Sequence, residues 1–71
     1  MTNKEMLAEL ITLKTSLQTA IEACNVLKDG GTFSLQNVAM EIGDGLKDDL
    51  ETVTFYVTDL TKEANKNSPF K

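Results

Sequence analysis

Residues 35–64 read LQNVAMEIGDGLKDDLETVTFYVTDLTKEA, and this stretch decides the fold. Eleven of its apolar residues are Leu35, Val38, Ala39, Ile42, Leu46, Leu50, Val53, Tyr56, Val57, Leu60 and Ala64. At about 100° per residue all of them fall within an arc of roughly 120°, the stripe of one amphipathic helix. Two features oppose that reading. Gly43-Asp44-Gly45 interrupts the stretch. An interior glycine costs a helix about 1 kcal/mol relative to alanine, and such a triplet also suits a turn. A break there would let Asp44 cap a third helix, with Asp48, Asp49 and Glu51 in its first turns, where acids favour the dipole. A turn, however, has no reason to preserve apolar phase, and the phase matches on both sides of the triplet. One helix is therefore expected from about residue 34 to 64, kinked at Gly43–Gly45 at most. The second opposing feature is Thr52-Val53-Thr54-Phe55-Tyr56-Val57-Thr58, which is β-branched and aromatic, with Val53, Phe55 and Val57 alternating. A strand needs a partner, and residues 32–38 are the only candidate. A small α+β domain is thus the alternative to an all-α fold.

Upstream, Gly30-Gly31-Thr32 marks a short turn over residues 29–33, so the two helices should run antiparallel. Ser34 is the expected N-cap of the second helix, with Phe33 and Val38 as its hydrophobic staple. Lys28 suits the last turn of the first helix, and Gly30 or Gly31 is expected to end it in a left-handed conformation. That first helix should span about residues 3–28. Thr2 and Glu5 form a capping-box pattern at its start, and Met1 and Met6 take the staple positions. Met6, Leu10, Leu13, Leu17, Ala20, Cys24 and Leu27 alternate spacings of four and three, a heptad seam. Leu7, Ile11 and Ile21 widen the apolar arc to about half the cylinder, more than one partner helix covers.

The expected architecture is therefore an all-α, antiparallel helical hairpin forming a single domain over residues 1–71, with a frayed polar tail at 65–71. A chain of 71 residues rarely builds a core worth more than about 3–5 kcal/mol without a staple or a partner. One cysteine excludes an intrachain disulfide and a thiolate zinc cage, so a homo-oligomeric bundle is the expected completion. Leu10, Leu13, Leu17, Ile21 and Cys24 are the candidate oligomer seam. The hairpin-dimer architecture looks like that of small plasmid copy-number regulators, although the basic face residues of such RNA-binding hairpins have no counterpart here.

Seven lysines stand against eleven acids, giving a net charge of −4, and the chain has no arginine, histidine or tryptophan. Without histidine there is no imidazole base, His-dependent triad or histidine metal site. An acidic chain repels nucleic-acid phosphate and anionic lipid, so direct nucleic-acid binding and membrane association are not expected. A lone Cys24 suits a reducing cytoplasm and reads as a small buried residue rather than a nucleophile. Lys14 and Lys28 fall within the apolar arc of the first helix, where the stems cover apolar surface and the ammonium groups reach water. Ser34-Leu35 resembles the phosphopantetheine-bearing Asp-Ser-Leu of acyl carrier proteins, but Phe33 stands at the acid's place and an N-cap accounts for Ser34. No nucleophile–base pair or metal set can be assembled, so neither an enzyme nor a bound cofactor is expected.

One pattern suggests a site. Glu41, Asp44, Asp48, Glu51, Phe55 and Asp59 are spaced three, four, three, four and four, and line the helix face opposite the apolar stripe. An aromatic residue set in a charged row suits docking of a basic protein. The expectation is a non-enzymatic interaction module, a small acidic regulator or inhibitor of the kind phages and mobile elements encode. Two alternatives are a structural subunit that forms a helical bundle, and a bundle that holds a small ligand through Lys14, Lys28 and Tyr56.

Overall fold

A computed structural model describes residues 1–66 of the chain. Two helices, α1 (Asn3–Gly30) and α2 (Phe33–Lys66), pack along each other as an antiparallel hairpin. The α+β alternative is overturned, since no strand occurs among the described residues. The block measures 55 × 18 × 15 Å with a radius of gyration of 16.3 Å. A compact domain of this length would have about 11 Å.

α1 starts as its sequence dictates. The Glu5 backbone N–H donates to Thr2 Oγ1 at 3.1 Å, and the Thr2 N–H donates to Glu5 Oε1 at 3.0 Å. The Glu5 carboxyl is held below its ordinary value, first by the hydrogen bond from the Thr2 backbone and then by the Thr2 side chain. A depressed carboxylate stabilises the fold above its unfolded pKa, and the contribution is lost as pH falls through the folded value. Acidification from about pH 4.3 downward should therefore loosen the first turn of α1. Amide exchange at residues 3–6, read by NMR, should show this loss of protection in the native chain and not in Glu5→Gln.

The connection differs from expectation in four respects. α1 runs to Gly30 and α2 begins at Phe33, so the turn is Gly31-Thr32 rather than residues 29–33. The cap of α2 is Thr32 and not Ser34: Thr32 Oγ1 accepts from the Leu35 N–H at 3.4 Å, and its carbonyl accepts from the Gln36 N–H at 2.8 Å. Ser34 then lies inside the first turn, and the Phe33–Val38 staple is replaced by an outward Phe33 that is 78% exposed. A threonine offers the same capping oxygen two residues earlier, which gives the tighter connection. Neither Gly30 nor Gly31 is left-handed; Gly31 is extended, at φ −82° and ψ 174°. It is small for another reason. A Cβ there would lie 2.5 Å from the Leu27 carbonyl oxygen and 3.3 Å from Leu35 Cβ.

α2 passes through Gly43-Asp44-Gly45 without a break and includes the β-prone segment 52–58. Thr52 Oγ1 donates to the Asp48 carbonyl at 3.2 Å, and Thr61 Oγ1 donates to the Val57 carbonyl at 2.7 Å. The hydroxyls of Thr52 and Thr61 are thus satisfied within the helix, while Val53 and Val57 turn toward α1. Amphipathic phase prevails over residue propensity here. The helix reaches Lys66, past the expected end near 64; of the expected tail, residues 67–71 lie outside the described part.

The seam within the hairpin is a heptad, but not the one read along α1. Leu7, Leu10, Lys14, Leu17, Ile21 and Cys24 are the half-buried row, with Ala20 half-buried beside it, whereas Met6, Leu13 and Leu27 are exposed. Both rows share Leu10, Leu17 and Cys24, because the apolar arc of α1 is wide enough to hold two stripes. α2 answers with Ala39, Gly43, Leu46, Leu50, Val53, Val57 and Leu60. Lys14 occupies a seam position, with its stem sharing the cover of the interface. The core is thin. Ala39 and Val53 are the buried apolar side chains among the described residues, and α1 contributes none.

Candidate protein interface

A continuous α2 is what assembles the ridge. Spacings of three and four keep Glu41, Asp44, Asp48, Glu51, Phe55 and Asp59 on one side of the helix, and all six are exposed. At 1.5 Å per residue the row is about 27 Å long. It looks away from α1, because the opposite side of the same helix carries the seam. Had the glycine triplet been a turn, Glu41 would have left the row.

Phe55 is the apolar point on this ridge, and it has a companion. Its ring meets that of Tyr56 edge-on, with centroids 5.3 Å apart and planes at 84°. Phe55 is 64% exposed and Tyr56 51%. Asp48, Glu51, Thr52 and the two rings line a shallow concavity of about 490 Å³. The T-shaped arrangement is a favoured geometry for an aromatic pair and joins the two rings into one exposed apolar patch. Tyr56 also walls a second hollow of about 460 Å³ at the open end of the hairpin. Met1, Met6, Glu9, Leu10, Leu13, Asp59 and Leu60 complete it. Met1 and Met6, expected as a staple, share this hollow.

The sequence placed Phe55 on the ridge and Tyr56 on the apolar stripe, and did not show that their rings pack edge-on. Adjacent helical residues differ by about 100°, so spacing shows only that neighbouring aromatics straddle the boundary between two faces, not that their rings meet. The candidate oligomer seam divides. Leu10, Leu17, Ile21 and Cys24 are half-buried along the hairpin seam, and Leu13 is exposed. Lys14, Lys28 and Tyr56 do not converge on one pocket. Lys14 is half-buried in the seam, Lys28 is exposed in the last turn of α1, and Tyr56 belongs to the open end. Cys24 Cβ would lie 3.6 Å from a Cβ added at Gly43, which marks close helix approach at that level. No group of three or more His, Cys, Asp or Glu side chains is arranged to hold a metal among the described residues. No helix there is long and apolar enough to cross a membrane.

No protein-family model, curated protein or solved structure matches the chain.

Proposed function

We propose that this hairpin is a non-enzymatic interaction module that docks a basic protein on the outer face of α2. The observation carrying this reading is the exposed T-shaped pair of Phe55 and Tyr56, set beside Asp48 and Glu51. Large aromatics with few rotatable bonds concentrate binding energy, and surrounding carboxylates choose a cationic partner and speed its approach. A small acidic regulator or inhibitor working in a reducing cytoplasm, of phage or mobile-element origin, fits this description. The partner motif the face suits is an amphipathic helix with an aliphatic anchor and flanking lysines or arginines.

A synthetic peptide of that kind, built from leucine–lysine heptads and fluorescein-labelled, tests the reading by fluorescence anisotropy. Phe55→Ala should weaken its binding at least about thirtyfold, the effect of losing a hot-spot anchor of about 2 kcal/mol. Asp48→Lys should reduce the affinity and its salt dependence together. Both positions are exposed, so circular dichroism should show the hairpin unchanged in either variant. If the peptide binds both variants as it binds the native chain, the ridge is not the docking face.

A further inference from the structure

Tyr56 belongs to two concavities at once. It lines the shallow site of Asp48, Glu51 and Phe55 on the outer face of α2, and it also walls the hollow of about 460 Å³ at the open end of the hairpin. Asp59 links the same two places, as the last residue of the acidic ridge and a wall of the hollow. The α2 residues lining the first concavity centre on Thr52 and those lining the second on Asp59, so the two succeed each other by about 10 Å along the helix. The hollow differs from the ridge in chemistry. Met6 and Leu13 of α1 and Leu60 of α2 give it apolar walls. The charged residues lining it, Glu9 from α1 and Asp59 from α2, are both acids and both exposed, and no lysine lines it. Met6, Leu13 and Tyr56 are themselves exposed. The hollow is therefore too open to enclose a small ligand, whose sites bury about 70–90% of its surface. It suits instead a side chain projecting from a larger body that covers the rest.

We infer that this hollow takes a second apolar anchor of the basic helix that docks at Phe55, so that the partner lies across Tyr56 and reaches α1. The inference rests on that docking and extends it from one anchor on α2 to two anchors on both helices. Charge selects the occupant. A segment that seats an aliphatic side chain between Met6, Leu13 and Leu60 brings its flanking residues beside Glu9 and Asp59, where cations are favoured and acids are repelled. A second copy paired about the hollow would bring its own Glu9 and Asp59 to the contact and meet like charge. A lysine or arginine between the two anchors lies over the ring of Tyr56, which attracts a cation. Methionine is unbranched and polarizable, so Met6 adapts to whichever aliphatic side chain enters. A separation of about 10 Å is that of residues seven apart on a helix, so the partner motif spreads over two heptads with apolar residues on one face of each.

Fluorescence anisotropy of the full chain with three labelled peptides tests this. The first peptide has two leucine–lysine heptads; in the others the leucines of one heptad or the other are replaced by alanine. The native chain should bind the two-anchor peptide at least about tenfold more tightly than either single-anchor peptide. Met6→Ala with Leu13→Ala should remove that advantage and leave the single-anchor peptides bound as before, whereas Phe55→Ala should weaken all three. Glu9→Gln should lower the affinity for the two-anchor peptide more than for the others, and reduce its salt dependence. Equal binding of the three peptides by the native chain overturns the inference, as does an advantage that survives the changes at Met6 and Leu13; a loss with Phe55→Ala then still upholds the ridge. Indifference to Phe55→Ala overturns the ridge and the shared partner with it. Self-association of the labelled chain that Met6→Ala with Leu13→Ala abolishes assigns the hollow to a second copy and also overturns the inference. Should the double variant lose its helicity, Glu9→Gln decides: a loss greatest for the two-anchor peptide supports the second anchor, and an equal effect on all three overturns it.

Discussion

Leucine in place of Ala39 should destabilise the hairpin by about 1–3 kcal/mol, the cost of forcing added methylenes into a packed seam. Ala39 is 3% exposed, the most covered of the apolar side chains. One helical turn further on, Gly43 approaches Cys24 closely enough that an added methyl would sit at 3.6 Å. The turn-proximal half of the hairpin is thus built on small residues, and α1 and α2 are close there because nothing large separates them. A leucine at 39 has to push α1 away. The two-residue connection resists this, since Gly31 already lies against the Leu27 carbonyl and Leu35, and the chain there has no slack. Against a total of about 3–5 kcal/mol for a core of this size, the loss leaves little margin. Urea denaturation followed by circular dichroism should show the midpoint falling with the slope preserved. Leucine at Leu46, already the native choice, shows the contrast: further from the turn the same seam accepts full-sized side chains.

How much of this was legible in the sequence follows from what fixes each feature. The continuity of α2 was readable because phase is a property of the whole stretch, and two glycines cannot offset eleven consistently placed apolar residues. The capping box at Thr2 and Glu5 was readable because both partners are local. The cap of α2 was misplaced because Thr32 and Ser34 offer equivalent oxygens; only the spacing allowed by the closed hairpin distinguishes them. The seam of α1 was rotated for a similar reason. Met6–Leu13–Leu27 and Leu7–Ile21 both lie within the wide apolar arc, and the small residues of α2 decide which of them faces inward. The six residues of the ridge were placed on one outward face from sequence because exposure on a helix opposite a strong stripe needs only the period. The joint presentation of Phe55 and Tyr56 was not, since ring geometry depends on rotamers rather than on spacing.

Alanine at both Gly43 and Gly45 should stabilise the hairpin by about 2 kcal/mol, about 1 kcal/mol for each interior glycine removed. The gain requires that neither glycine be there for its conformation or its lack of a side chain. Neither has a positive φ, so alanine adopts the same backbone without strain. At Gly45 a Cβ meets nothing within 4 Å, and at Gly43 it meets only Cys24 Cβ at 3.6 Å, an ordinary van der Waals distance. The methyl at 43 adds a seam contact, whereas the methyl at 45 points to open space, so the two effects should be nearly independent. Most of the stabilisation arises in the unfolded chain, which loses the freedom of two glycines. The denaturation midpoint should therefore rise with little change in slope, by a shift of about 8–16 °C if read thermally. The same substitution discriminates between two roles for the triplet. If it only interrupts helix propensity, the double variant gains stability and binds the basic peptide as before, because Asp44 and the ridge keep their phase. If α2 must flex at the triplet for Asp48 and Phe55 to engage a partner, stability rises and peptide affinity falls. Measuring both quantities on one variant separates a propensity defect from a hinge, and the continuous phase of the helix leads us to expect the first.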